Sequence, residues 1–224
     1  MIRRAVEELD RRRTLLLLGS GYLRDAPFDE LARTFERVVL IDAVHPLAAR
    51  RRARRYRNSE LVTRDLTGAV DWMMGAASER VDPLREWRDA QVDLVISANL
   101  LSQLPIRPEE WLEKHSERAR ELPADFLAQI VRWHLEDLQK FSGRVCLLTD
   151  VEMAEHARDG SVVDRLDLMR GVALPPPDES WSWMVAPFGE LERDRCYIHR
   201  VCGYVDFVAA QARAPINPER RIDA

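Results

Sequence analysis

The stretch Thr14-Leu15-Leu16-Leu17-Leu18-Gly19-Ser20-Gly21 is a short apolar run that stops at two glycines. Such a run predicts a buried strand entering a tight turn, because glycine tolerates both left-handed backbone angles and close approach of another segment. Val38-Val39-Leu40-Ile41-Asp42 is a second apolar run, and it stops at a carboxylate. A helix-length spacer separates the two, which makes them neighbouring parallel strands joined by a crossover. The turn offers backbone amides and the acid offers acceptor oxygens; together they describe half of a nucleotide-binding crevice.

Outward from this pair, residues 1–13 form an amphipathic helical lead with Ile2, Val6 and Leu9 on one stripe. Asp25-Ala26-Pro27 is a helix start, and Phe28, Leu31, Ala32 and Phe35 give that helix a buried face. Pro46 opens a second helix to Tyr56, a third strand covers 60–64 and ends at Asp65, and a weakly patterned helical stretch runs from Ala69 to Trp87. The fourth strand is Val92 to Ser97. Residues 108–122 are polar and helical, and Pro123 opens a longer helix to Phe141. The fifth strand, Arg144 to Thr149, stops at Asp150. A helix over 161–170 then ends at Gly171, and Pro175-Pro176-Pro177 is a stiff linker. Trp181 to Pro187 and Arg195 to Phe207 form a terminal antiparallel hairpin.

Strands alternating with helices and then a hairpin make an α/β domain with a mostly parallel sheet. The expected organisation is a lead helix over 1–13, one domain over 14–208 and a loose tail over 209–224. Ligands of such sheets sit at the carboxyl ends of the strands. That rule selects Gly19, Gly21, Asp42, Asp65, Ser97, Asn99 and Asp150 as rim residues.

Composition sets the bounds. A chain of 224 residues fits one large domain, with two small ones as the alternative, and a domain of this size needs no metal or disulfide to fold. With 34 basic and 38 acidic residues the net charge is −4, which argues against a dedicated nucleic-acid binder. All the basic residues but Lys114 and Lys140 are arginines. Cys146, Cys196 and Cys202 lack metal-site spacing and lie in apolar runs, so buried hydrophobes are expected and no metal. No membrane span is found, and Arg3-Arg4 leads into acids rather than an apolar signal segment, so a cytoplasmic location is expected.

The order of glycine turn, acid after strand two, acid after strand three and Asp93-Leu94-Val95-Ile96-Ser97-Ala98-Asn99-Leu100-Leu101-Ser102-Gln103-Leu104-Pro105 resembles the class I S-adenosylmethionine-dependent methyltransferases over residues 14–207. The resemblance implies a three-layer Rossmann-like fold, its seven-stranded sheet mostly parallel and closed by an antiparallel hairpin. It implies S-adenosylmethionine as cofactor, with Gly19, Ser20 and Gly21 beside the methionine part. By the same likeness Asp42 accepts from the ribose, Asp65 approaches the adenine amino group, and Ser97 and Asn99 line the crevice. Leu17 stands where the family's first motif has an acid, and Leu23 where it has a third glycine. The rival cofactor is NAD, whose fingerprint requires a glycine where this chain has Arg24.

Several residues carry two readings. Asp42 is a ribose acceptor or a helix cap, and Asp65 is a ligand group or part of a plain Asp-Leu-Thr-Gly turn. Asn99 and Gln103 orient a substrate atom, or Asn99 caps the following turn. His134 is a core histidine or a general base. Asp150 and Glu152 form an acidic patch suited to an amine, or cap a helix. His199 is a strand residue with no evident partner. The six arginines of 50–57 point all round their helix and are a solvated face. Trp181 and Trp183 share a strand face, as core or as a pocket wall.

The function expected is methyl transfer to a small-molecule acceptor, with Asn99 positioning the reacting group and Asp150 and His134 behind it. The competing expectations are a non-catalytic interaction module on the same fold and an NAD-dependent oxidoreductase.

Overall fold

In a computed structural model, which describes residues 1–88 and 91–213, the leucine run becomes β1 (Thr14–Leu18), buried along its whole length. Strands covered on both faces carry continuous apolar runs, and β1 is central. It pairs in parallel with β2 (Arg37–Asp42) on one side, and β2 pairs in parallel with β3 (Ser59–Thr63). On its other side lies β4 (Val92–Ala98), followed by β5 (Arg144–Ala157), again parallel. Three more strands, β6 (Val162–Asp167), β7 (Glu179–Ala186) and β8 (Arg195–Tyr204), are antiparallel to their neighbours. The order is β3-β2-β1-β4-β5-β8-β7, with β6 paired to β5. This is the Rossmann-like methyltransferase arrangement expected from the sequence, with one strand more than the seven expected.

Leu15 and Leu17 face a core layer formed with α1 (Ile2–Glu7), α2 (Phe28–Thr34) and α3 (Leu47–Ala53). Leu16 and Leu18 face the opposite layer. That layer holds α4 (Val70–Met73), α5 (Ile106–Lys114), α7 (Phe126–Gln139) and α8 (Phe207–Arg213), with α6 (Ser116–Glu121) between α5 and α7.

Three expected elements are corrected. The stretch 161–170 is not a helix; its first part is β6. Asp159-Gly160, with Gly160 at φ +86°, turns the chain back on β5, and the β-branched Val162 and Val163 favour the extended form. β5 does not stop at Asp150 but runs on to Ala157 with an irregularity between Asp150 and Glu152. The helical stretch 69–87 shrinks to α4 and one 3₁₀ turn at Arg85–Trp87, because Gly75 takes φ +78° and Asp82-Pro83 interrupts the remainder. The structure also places 207–213 in α8, with Ala210 buried, while 214–224 lie outside the described residues.

The edge of β5 that β4 leaves at Ala98 is taken up again by β6 from Glu152 onward. A notch therefore opens along β5 at Thr149 and Asp150, at the carboxyl end of the parallel sheet, and closes at Val151, whose O accepts from Leu168 N–H at 3.1 Å.

The irregular segment 75–88 is fastened by charge. Asp137 of α7 is fully buried and meets Arg80, Arg88 and Lys140. Arg80 Nε also donates to Thr67 O at 2.9 Å, which ties the turn after β3 to α7. Removing one partner of a buried pair leaves an uncompensated charge, at a cost of about 3–5 kcal/mol. Asp137→Asn is expected to lower unfolding stability by about that amount in denaturant titration; a loss below about 1 kcal/mol would show that the network is solvated.

Candidate functional site

β1 and β4 are neighbours whose following segments leave toward opposite faces, so their carboxyl ends form the switch point of the sheet. The glycine turn stands there. Gly19 has φ +68°, and its N–H donates to Ile41 O at 2.9 Å, extending the β1–β2 ladder by one rung. A Cβ at Gly19 would sit 3.0 Å from Leu100 Cβ and Cδ1, so the turn and the segment after β4 touch because no side chain intervenes. Gly21 has φ +44°, and its N–H donates to Asp42 Oδ2 at 2.7 Å. The Val44 N–H donates to Asp42 Oδ1 at 3.2 Å. Asp42 thus fixes the turn and the start of the next loop while remaining half-buried, and each of its oxygens retains a further lone pair.

Ser20 is buried beside His45, its Oγ 3.4 Å from Nδ1. His45 Nε2 lies 3.0 Å from Val62 O, and a carbonyl only accepts, so Nε2 carries the proton and Nδ1 receives the Ser20 hydroxyl.

Leu23, at the position of the family's third glycine, keeps a glycine-like φ of +60° although its side chain is buried. Left-handed backbone costs a leucine roughly 1–2 kcal/mol, and burying its side chain returns roughly 1.5–3 kcal/mol. Arg52 holds the conformation: its guanidinium donates to Leu23 O at 2.7 Å and pairs with Asp29 at 2.7 Å. Sequence reading had placed Arg52 on a solvated face; only the tertiary fold reveals this role.

Asp65 caps its own turn. Oδ1 accepts from Thr67 N and Oγ1 at 2.9 and 2.7 Å, and Oδ2 accepts from Thr67 Oγ1 and Val70 N at 2.8 and 3.1 Å. Its acceptor capacity is used locally. The carboxylate borders a groove of about 300 Å³ with Arg64, Asp71, Glu79 and Pro83.

Asn99 directly follows β4 at φ +54°. Left-handed asparagine at a strand end is a strained arrangement of the kind that gathers at binding sites. Its N–H donates to Leu148 O at 2.9 Å, and Nδ2 donates to Asp25 Oδ1 at 3.2 Å, reaching across to the loop after β1. A cavity of about 450 Å³ lies beside this link, between Met1, Arg24, Asp25, Pro27 and Leu148. A larger one, about 620 Å³, opens at the other end of the sheet, by Asp93, Gly143 and Asp206. The first shares Asp25 with the Asn99 link, and the second lies at the amino ends of the strands.

Asp150 lies in the notch of β5 and is 6% exposed. Trp183 Nε1 donates to its Oδ1 at 3.2 Å, and His199 Nδ1 lies 3.0 Å from its Oδ2, close but out of hydrogen-bonding alignment. The histidine that lacked an evident partner in the sequence therefore has one, brought by β8. Gln103 is exposed in the turn after β4, and Glu152 pairs with Arg165 at 2.6 Å rather than joining Asp150.

Ser97 and His134 are buried together, Oγ to Nε2 at 3.0 Å, and His134 Nδ1 has no partner among the described residues. Burial, with Arg80 adding and Asp137 opposing, lowers the imidazole pKa from its ordinary 6.5 to about 4. The ring is neutral at physiological pH. The three cysteines are buried and unpaired, and burial pushes the Cys146 thiol up to about 12. Among the described residues no helix is long and apolar enough to cross a membrane.

No family model matches the chain, and no curated protein matches it. Solved structures do. The chain is similar to the 1,6-didemethyltoxoflavin-N1-methyltransferase of Burkholderia thailandensis, solved with bound 1,6-didemethyltoxoflavin and S-adenosylhomocysteine, at 16% identity over 92% of this chain and 78% of that one, TM-score 0.42. It is similar to an rRNA methylase of Streptococcus thermophilus at 11% identity over 90% and 93% of the two chains, TM-score 0.36. A DhpI–SAM–HEP complex overlaps at 15% identity over 88% and 84%, TM-score 0.39. The fold assignment rests on strand order and pairing, not on these overlaps.

The buried imidazole makes stability depend on pH. An unfolded chain protonates His134 below about 6.5 while the folded chain resists until about 4, so stability falls as pH drops through that window. Denaturant titrations should show this residue removing roughly 2 kcal/mol between about pH 7 and pH 5, and His134→Gln should flatten that part of the profile. An unchanged slope in the variant would place the pH dependence elsewhere.

Proposed function

We propose that the protein transfers a methyl group from S-adenosylmethionine to a small-molecule acceptor. The observation that carries this reading is the switch point itself: a turn after β1 with glycine on either side of Ser20, locked by its Gly21 amide to the acid ending β2, facing a left-handed asparagine at the end of β4. The residues present fit such a cofactor, since Gly21 leaves open space beside the turn, where a Cβ would meet only Gly19 O at 3.8 Å, and Asp42 keeps lone pairs for ribose hydroxyls. Gly19, Ser20 and Gly21 would hold the amino-acid end and Asp42 the ribose. Asp65, its oxygens engaged by Thr67 and Val70, shapes the wall of the adenine side instead of binding the amino group directly.

When bound, the cofactor supplies a methyl group on a positively charged sulfur. The chain's own task is alignment, since holding the nucleophile in line with the departing sulfur supplies most of the acceleration. Asn99 has its amide at the crevice mouth and is the positioning residue. Asp150, buried and approached by Trp183 and His199, is the group on the acceptor side that receives or holds a proton. His134 acts behind Ser97, keeping the last turn of β4 in place without touching substrate. The small-molecule preference is supported by the acidic net charge and by the engagement of Arg52 in the fold.

The alternative, a binding module without catalysis, draws on one observation: Asp42 and Asp65 both spend hydrogen bonds on their own loops. Calorimetric titration of S-adenosylmethionine and S-adenosylhomocysteine separates the readings. Binding is expected, and Asp42→Ala should weaken it at least about ten-fold, the worth of one lost charge-assisted hydrogen bond. Asp42→Asn, which keeps an oxygen for the Gly21 amide, distinguishes loss of the ribose contact from collapse of the turn. Silence toward both compounds would overturn the proposal, and heat with NAD alone would replace it with the dinucleotide reading.

A further inference from the structure

The sheet ends in three strands that each pair on one side only, β3, β6 and β7, and the chain treats them differently. An unpaired edge is a template for another strand, and proteins blunt it with charge, proline or shortness. β3 has five residues and carries Glu60, bound to Arg37 at 2.6 Å. β6 reads Val-Val-Asp-Arg-Leu-Asp, so half of its residues are charged. β7 reads Glu-Ser-Trp-Ser-Trp-Met-Val-Ala. It has eight residues, no proline, and no charge after its first position. Trp181, Trp183 and Met184 are 39%, 44% and 52% exposed. Among the described residues, every backbone hydrogen bond between β7 and another element goes to β8.

We infer that the protein forms a two-fold dimer in which β7 pairs antiparallel with β7 of a second copy. The sequence of the edge argues for a copy over another partner. Two identical antiparallel strands related by a two-fold axis place residues of like parity opposite one another. Centred on Ser182, the register sets Trp181 against Trp183 of the other chain, Trp183 against Trp181, and Ser180 against Met184. Aromatic cross-strand pairs are among the stabilising ones, and four indoles meet on one face. The only charge, Glu179, faces no like charge, since its opposite is Val185. The paired stretch from Ser180 to Met184 stops where the irregularity between Met184 and Ala186 begins. A shared edge would remove the aggregation hazard that the other two edges meet with charge. This inference does not depend on the cofactor.

Sedimentation velocity of the full chain across about a hundred-fold range of concentration tests it. The expected species has twice the 25.9 kDa chain mass. Ser182→Arg brings two guanidinium groups together at the axis and should raise the dissociation constant about a hundred-fold, with circular dichroism unchanged. Ser182→Cys should give a covalent dimer under mild oxidation, whereas the three native cysteines are buried. A wild-type chain that stays monomeric throughout, or a dimer indifferent to Ser182→Arg, would overturn the inference. A dimer that Ser182→Arg dissolves but Ser182→Cys fails to lock would overturn the Ser182-centred register. Should Ser182→Arg misfold, the cysteine variant decides alone.

Discussion

The contact between Gly19 and Leu100 governs the upper edge of this molecule. β1 is buried on both faces, so its chain must leave the sheet within one or two residues, and it must do so against the segment leaving β4. A Cβ at Gly19 would press on Leu100 from 3.0 Å, so only glycine lets the two exits touch without displacement. With the exits touching, Asn99 comes within reach of Asp25 and Gly21 within reach of Asp42. The crevice is therefore a consequence of packing density at the switch point.

Electrostatics then divides the acids by task. Asp137 and Asp93 are paired with arginine and belong to the fold; the Arg13 guanidinium holds the Asp93 carboxyl below the usual carboxylate range. Asp65 is consumed by its turn. Asp42 and Asp150 differ from these. Asp42 touches backbone amides alone, and Asp150 is bordered by an indole N–H and an imidazole in place of a guanidinium. A carboxylate that is buried without a permanent cation keeps its capacity to interact with an incoming group. Asp42 ends β2 and Asp150 lies on β5, on opposite sides of the β1–β4 switch point.

The parts of this architecture legible in the sequence are those written in local periodicity. β1 is an unbroken apolar run, β2 and β4 hold the apolar cores Val38 to Ile41 and Leu94 to Ile96, and the face of α2 repeats at helical spacing, so each is identifiable within a residue or two. β6 was not, because Val162, Val163, Leu166 and Met169 also fit a helical stripe, and the deciding signal is the turn at Asp159-Gly160. The segment 75–88 has weak periodicity since charge holds it, and ion pairs between residues some fifty positions apart leave no local trace. The site divides the same way. Gly19, Gly21, Asp42 and Asn99 follow from strand ends. Arg52 at Leu23, His199 and Trp183 at Asp150, and Ser97 at His134 each require two elements to be placed first.

β6 also shapes the sheet edge beyond β4. A parallel sheet that ended at Ala98 and Thr149 would leave the crevice open above β4 and β5. Here β5 continues, and β6, β8 and β7 extend with it as an antiparallel sheet above that edge. The extension contributes no helix, and its core residues, Val201, Cys202 and Tyr204 among them, lie mainly on β8. On its edge strands Val162, Val163, Leu166, Trp183 and Met184 are exposed. What it contributes is position: Trp183 and His199 converge on Asp150 from strands distant in sequence, at the notch where neither β4 nor β6 covers β5. An acid placed there by three strands is held more rigidly than one carried on a loop, which is the rigidity that the proposed alignment of an acceptor requires.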